Sequence, residues 1–373
     1  MMIIPQLTIQ YETYPLNDSF VKDWEKIAES APAANVFSSL IWQETGFSHF
    51  APGKETLIPI RFLNDKGQTV AMVLMRETKR KSFGFTVKTW RTVDFNSMRI
   101  PVILGIDIPC IAGALKILYK EAGDFVDEFK FYKLDPLNDG LDEIIKALCE
   151  CGISVEHEIF NIQPQLILPD DWNDYYYSHK KTFWKTIRYM KNKLGRDYGE
   201  VFFKRIRTLD DWHNTDLNKI INDIFSVYSN SWQNTQREES SILSFKQITS
   251  FYRDLITKLA YKGVLDLNIM CAGDKICAFD LNIIEGKTII ALFGTYNQEF
   301  QQYSPGKVLL ANWLKNSHLQ GDKLIEFGGD YLEYKRLWTN FETTSRYISF
   351  PGKTKLAKVK LLLLRLKKLL KTK

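Results

Sequence analysis

TLIPIRFLNDKGQTVAMVLMRE (56–77) holds two mostly apolar runs, interrupted by a polar break from Asn64 to Gly67. Short apolar runs broken in this way predict two strands joined by a turn. Further strands are predicted at 85–93, 129–134 and over GISVEHEI (152–159). Between them, apolar residues recur every three or four positions and predict helices at 18–30, 111–121 and 139–150, with Asp18 or Ser19 as the first N-cap. The second half repeats this order with longer helices at 175–195, 209–231 and 244–261 and a strand at 201–207. It continues with a meander of strands at 264–271, 275–284 and 288–296, turned by AGDK and EGK. A helix at 305–319 and strands at 323–329 and 346–350 complete it.

Both halves therefore read as helices, an antiparallel meander, a helix and a further strand. The likeness lies in element order rather than residue identity, and it predicts a duplicated α+β unit. The proline-punctuated stretch IQPQLILPDDW (162–172) marks the boundary, giving domains at 1–165 and 166–352 and a tail at 353–373.

A chain of 373 residues suits two such domains. At 45% hydrophobic and 25% charged, it has a globular composition. The opening MMIIPQLTIQYETY lacks a basic stretch followed by a long apolar run, which predicts no signal peptide, and no run reaches the length of a spanning helix. Cys110, Cys149, Cys151, Cys271 and Cys277 form neither a CxxC pair nor a zinc pattern, so free thiols in a reducing cytoplasm are expected. His49, His157, His179, His213 and His318 sit in no metal or triad motif, and no metal is expected.

Charge changes the picture at the C-terminus. Of the 50 basic residues, nine fall in 353–373, where there is no acid; the 41 that remain face 44 acids, a net of −3. The body is close to neutral, which argues against DNA as a partner. On a helical wheel, Leu356, Val359, Leu362, Leu363, Leu366, Leu369 and Leu370 share one face of the tail, and its cations share the other, with Leu361 and Leu364 as exceptions. This pattern suits a helix lying in the interface of an anionic membrane, which would make the protein peripheral on the inner face; another protein's groove and the chain's own body are the alternative seats.

Candidate chemistry centres on YSPGKVLLANW (303–313). Ser304 stands at an N-cap position and Pro305 at the first helical one. Gly306 leaves the backbone uncovered, so the N–H groups of Gly306, Lys307 and Val308, with the Lys307 charge and the helix dipole, can hold an anion. The same residues also suffice for a plain helix cap. About twenty positions later comes IEFGGDYLEYKRLW (325–338). The succession Tyr296, Tyr303-Ser304-Pro305-Gly306, Leu309-Leu310, Gly321, Glu326-Phe327, Gly329, Tyr334-Lys335 and Trp338 resembles the CelD/BcsL-type acetyltransferase family of cellulose biosynthesis, within the GNAT superfamily. The basic helix SHKKTFWKTIRYMKNKLG and Trp232 are also similar to that family, as is 35–75 less specifically. The resemblance covers roughly 35–352 and is strongest over 175–338. Between Phe327 and Tyr334 the family often has an Arg-Gly-acid-acid run, whereas this chain has Gly-Gly-Asp-Tyr-Leu-Glu.

The resemblance implies tandem GNAT-like domains with mixed, largely antiparallel sheets, the first degenerate and the second holding acetyl-CoA or another acyl-CoA. It implies acyl transfer to an amine, with the pyrophosphate at 304–307. FemABX-type enzymes share the architecture and use aminoacyl-tRNA. Acyl transfer needs a base and an oxyanion donor. Asp280 and Asn282 share a strand face opposite Cys277, Phe279 and Leu281, and apolar neighbours raise the pKa of such a carboxyl; a structural hydrogen bond is the other reading of Asp280. Asp330 and Glu333 either orient an amine or shape a turn. Tyr334 either donates to the thioester or packs in the core, and Lys335 either meets a phosphate or carboxylate or lies on the surface. Trp232, Arg237, Lys181, Lys185 and Arg188 either line the acceptor cleft or serve structure, Trp232 in the core and the basic helix as a solvated face. Ten cations against two acids over 180–207 fit an anionic acceptor, such as a nucleotide sugar or lipid pyrophosphate used in surface polysaccharide.

Overall fold

The computed structural model describes residues 2–51, 53, 55–95, 97–134, 140–231, 245–328 and 333–371. The chain divides into two compact units, Met1–Ile162 with Thr344–Lys373, and Gln163–Thr343. The closing strand and helix thus group with the N-terminal residues.

In the first unit, β1 (Thr8–Tyr11), β2 (Thr56–Leu63), β3 (Thr69–Ser82) and β4 (Phe85–Thr92) run antiparallel in that order, and the short β5 (Leu104–Gly105) pairs with β3. Next, β6 (Glu128–Leu134) lies parallel to β4, followed by β13 (Phe341–Pro351) and the first half of β7 (Glu156–Ile167). Both sheet faces are covered. On β3, Ala71, Val73 and Met75 pack toward α3 (Ile108–Ala122) and α4 (Leu141–Glu150). The alternate residues Met72 and Leu74 pack toward Phe20, Trp24 and Ile27 of α1 (Asp18–Ser30) and Leu40 of α2 (Leu40–Phe50). Two buried faces explain why this strand reads as an almost unbroken apolar run. The cap of α1 is Asn17, which accepts from the Phe20 N–H at 2.8 Å, rather than Asp18 or Ser19.

The second unit orders its strands as the latter half of β7, β12 (Leu324–Glu326), β11 (Thr288–Tyr296), β10 (Lys275–Glu285), β9 (Leu265–Ala272) and β8 (Val201–Ile206). Only the β11–β12 pair is parallel. One face carries α6 (Lys181–Tyr198) and α10 (Pro305–Leu319). On the other, α8 (Leu217–Ser229) and α9 (Phe245–Leu259) bring Tyr228 and Tyr252 against Phe293.

Two predicted helices are divided. The first breaks into α5 (Trp172–Ser178) and α6, because His179 is extended, with ring nitrogens facing the Tyr175 and Leu337 carbonyls at 3.0 and 2.8 Å. The second breaks into α7 (Leu209–His213) and α8, because Asp216 caps a new start by accepting from the Lys219 N–H at 3.0 Å. The short α11 (Glu333–Arg336) precedes β13, and α12 (Lys355–Lys371) ends the described chain.

Candidate active site

The parallel pair in the second unit is short. β11 and β12 are registered only across Thr288–Leu324, Ile289–Ile325 and Ile290–Glu326. β11 then continues to Tyr296 beside β10, while the Phe327 N–H turns to the Pro164 carbonyl on β7 at 3.0 Å. Among the described residues the register of β11 with β12 ends at Ile290–Glu326. A β-bulge where Leu281 and Asn282 face β11 falls at this point; bulges sharpen strand twist.

The chain leaves β11 through a helical turn held to α6 by the Tyr303 hydroxyl, which donates to Asp197 at 2.7 Å. That bond, with burial added, pushes the Tyr303 pKa up to about 12. Ser304 follows in the left-handed region at φ 48° and stands at the N-cap of α10, but its side chain caps no helix N–H. Its carbonyl accepts from Lys307 N–H at 3.0 Å and Val308 N–H at 3.2 Å. This corrects the expectation that both are free for a ligand: Val308 is the fourth helical residue, whose N–H bonds back to the cap carbonyl. What remains for an anion is the Gly306 N–H, the dipole and the exposed Lys307 side chain.

Lys307 also borders a cavity of about 800 Å³ formed with the end of α5, the first two turns of α6 and the residues after α11. Tyr175, Phe183, Ile187 and Leu337 supply apolar lining, and Lys180 and Arg336 add two cations. The sequence reading missed Lys180 and Arg336 as well as the cavity. Their signal was only proximity to SHKK and to Tyr334-Lys335. Lys181, Lys185 and Arg188 are exposed on α6 but lie outside the cavity, which takes Lys180, Thr182, Phe183, Thr186 and Ile187 instead.

Asp280 lies on β10 beneath α10, where the Trp313 indole N–H donates to its carboxylate at 3.0 Å. The carboxylate also rests on Gly294 of β11, where an added Cβ would fall 1.9 Å from Oδ1. Burial, with Asp266 adding repulsion and Trp313 opposing, pushes its pKa up to about 7. Tyr334, 47% exposed, is electrostatically coupled to it: burial first and Asp280 second push the phenol up to about 12. The structure thus brings Asp280 and Trp313 together, and the Asp280 charge acts on Tyr334 at longer range.

Other expected residues land elsewhere. Asn282 is fully buried, and its amide N–H donates to Asp266 at 3.4 Å. It belongs to a network in which Arg205 binds Asp266 bidentately at 2.7 and 2.8 Å and Arg207 binds Asp322 at 2.7 Å. Cys277 is not opposite Asp280 but packs in the same core as α10, because a bulge between Ile276 and Ala278 breaks the alternation. Lys335 is buried rather than on the surface, and its amine donates to the Gly328 carbonyl. Glu333 is exposed on α11. Trp232, Arg237 and Asp330 lie outside the described residues. Among the described residues no group of His, Cys, Asp and Glu is placed to hold a metal ion, and all five cysteines are free thiols.

Residues 181–336 match the family model of an acetyltransferase (GNAT) domain, and this stretch falls inside the second unit. Among solved structures, the chain is similar to FemX at 10% identity and TM-score 0.55, covering 91% of this chain and 96% of that one. It is also similar to L-PGS from Bacillus licheniformis, at 13% identity and TM-score 0.52, covering 92% and 96%. The C-terminal domain of a putative lysylphosphatidylglycerol synthetase from Agrobacterium fabrum compares at 10% identity and TM-score 0.52, covering 90% and 92%. At such identities the likeness is one of fold. No curated protein matches the chain. The fold is GNAT-like, a mixed α+β arrangement built on mixed sheets.

Proposed function

We propose that the protein is an N-acyltransferase that moves an acyl group from coenzyme A to an amine. The observation that carries this reading is the Asp280 carboxyl, pushed up to a pKa of about 7 by burial, bonded by the Trp313 indole and acting through its charge on Tyr334. A base with a pKa close to neutrality is half available at pH 7 and strong enough to take a proton from an ammonium group in a desolvated site. The start of α10, with Gly306 and Lys307, suits the pyrophosphate of coenzyme A.

In this reading Asp280 takes a proton from the acceptor ammonium, and the neutral nitrogen attacks the thioester carbonyl. The C–N bond forms, the C–S bond breaks, the leaving thiolate takes a proton from the Tyr334 hydroxyl, and the proton shed by the nitrogen restores that hydroxyl. The acceptor is an anionic amino-sugar derivative of the kind used in surface polysaccharide, in line with the CelD/BcsL resemblance. The cations Lys180, Lys307 and Arg336 around the 800 Å³ cavity favour a negatively charged ligand.

Titration calorimetry with acetyl-CoA tests the donor. Binding in the micromolar range that is lost in Gly306→Asp, which sets a carboxylate at the helix start, supports the reading; no binding by the folded wild type removes it. A second reading, an aminoacyl-tRNA donor, is favoured by the exposed basic stripe of Lys181, Lys185 and Arg188 on α6. Binding of tRNA without binding of coenzyme A selects that one.

A further inference from the structure

Three features of the first unit gather at one end of its sheet. The β3–β4 hairpin turns through KRKSFGF (79–85), where Lys79, Arg80 and Lys81 are exposed and Phe83 and Phe85 are 45% and 49% exposed. Phe83 adopts φ 50°, a left-handed conformation that glycine or asparagine takes more easily. An aromatic ring is thus held at the tip against local preference. β4 and β6 are parallel, with Thr89 opposite Glu128, so both begin at this end, and β13 finishes there with Pro351 opposite Glu128.

The turn before β6 is tied to β4. The Asp127 N–H donates to the Lys88 carbonyl at 2.9 Å, and the Lys88 amine lies 5.7 Å from the centre of the Phe125 ring, itself 47% exposed. Lys88 is three residues, roughly 10 Å of strand, from Phe85. The chain entering α12 is clamped to the same turn by Lys353 on Asp124 at 2.9 Å and Thr354 on Asp127, and Lys360 pairs with Glu128 at 2.8 Å.

These contacts use the polar side of the helix. Ala357 is buried and Lys360 is paired, whereas Val359 and Leu362 are 44% and 58% exposed. In the sequence, leucine recurs at 366 and 369, which keeps the three-residue and four-residue spacing of positions 359 and 362. Through its described part, then, the helix meets the body through Lys360 and Ala357 and turns Val359 and Leu362 to solvent, while Leu356, Leu361 and Leu363 are half-buried. No helix of the described residues is long and apolar enough to cross a membrane.

We infer that the hairpin tip and the C-terminal helix form one docking face for an anionic lipid bilayer. Charge complementarity selects this occupant. The apolar residues Phe83, Phe85, Val359 and Leu362 are flanked by Lys79, Arg80, Lys81, Lys355 and Lys358, and 353–373 contains no acid while the remaining chain is close to neutral. Rings and aliphatic side chains enter the interfacial layer, and the lysines reach the phosphates along their apolar stems.

Flotation of the full chain with vesicles tests this, using phosphatidylcholine alone and an equal mixture of phosphatidylcholine and phosphatidylglycerol. The chain is expected to float with the mixture only and to be released at high salt. The pairs Phe83→Asn with Phe85→Ser, and Val359→Ser with Leu362→Ser, are each expected to weaken binding at least tenfold while leaving the thermal midpoint unchanged, since all four side chains are exposed. Failure to float with either vesicle, or equal binding to both, overturns the proposal. So does full binding by either variant pair. Dimerisation of the lipid-free protein that these pairs abolish assigns the face to a second copy and overturns it as well.

Discussion

The two units place the same motif in different states. Each has a three-strand antiparallel meander, a helix with proline in its first turn, and a strand that runs parallel to the third strand of the meander. In the first unit β4 and β6 are registered over Thr89–Glu128, Trp90–Phe129 and Arg91–Lys130; in the second the counterpart is Thr288–Leu324 to Ile290–Glu326. Beyond that register the first unit fills its own gap. The Ile100 N–H donates to the Lys133 carbonyl at 3.0 Å, which extends the pairing of β6, and Asp94 bonds Arg76 and Arg91 in the intervening loop at 3.0 to 3.1 Å. The helix start is closed too, because the Asp107 carboxylate accepts from the Cys110 N–H at 2.8 Å. In the second unit the described register ends at Ile290–Glu326, and the helix start has a left-handed Ser304 with no side-chain cap and a lysine beside it. An internal carboxylate satisfies one positive helix end, and the lack of a side-chain cap at the other suits the anion proposed for it.

The comparison is broken most directly at Asp280. Asp280→Asn is expected to lower kcat/KM by about 10² to 10⁴-fold, and wild-type kcat/KM is expected to rise with pH around a midpoint of about 7. An unchanged rate in Asp280→Asn removes the carboxyl from the chemistry. The same variant makes a stability prediction of opposite sign. The Asp280 pKa is raised from 3.8 to about 7, so folding favours the protonated form. That contribution is complete below the unfolded value and lost as pH climbs through about 7. Asp280→Asn escapes the penalty and is expected to gain about 2–4 kcal/mol in denaturant unfolding at pH 9 but little at pH 4.

The charged cluster of the first unit comes next. Burial pushes the pKa values of Arg91 and Lys133 down, and for Asp94 the neighbouring Arg91, Lys133 and Arg76 outweigh burial and hold its carboxyl below the usual range. Asp94→Ala leaves Arg76 and Arg91 without that partner and is expected to cost about 3–5 kcal/mol in urea unfolding. Because the folded pKa of Asp94 is depressed, its contribution is present at neutral pH and lost as pH falls into the acid range. A variant as stable as the wild type at neutral pH would show that the gap is not held shut by charge.

These differences were unevenly legible in the sequence. The meander strands follow from alternation and glycine turns, and the shared face of Asp280 and Asn282 follows from a period of two. The helix breaks at His179 and Asp216 were hidden because apolar periodicity runs across both. Lys335 read either as a partner for a phosphate or carboxylate or as a surface lysine, since nothing near it in sequence announces the Gly328 carbonyl that its amine meets. The partners of Arg205 and Arg207 lie 61 and 115 positions away, so that network exists only once the strands have paired. Even at the helix starts the local reading was partial: it named Asp18 or Ser19 where Asn17 caps, and it left the Lys307 and Val308 N–H groups free where the Ser304 carbonyl takes both. Where the pairing of β11 with β12 ends is decided by strands distant in sequence, which no local pattern contains.

The smallest effect separates a cap from a binding site most sharply. Asp107 and Ser304 occupy the same position in the two copies of the motif, but only Asp107 makes a side-chain capping bond. Asp107→Ala is therefore expected to cost about 1 kcal/mol, read as a fall of a few degrees in the thermal midpoint, with affinity for acetyl-CoA unchanged. Ser304→Ala removes no capping bond, so its midpoint should move by less. A larger loss for Ser304→Ala than for Asp107→Ala would mean that the second helix start is closed by its own side chain after all. The contrast between the two helix starts would then be lost.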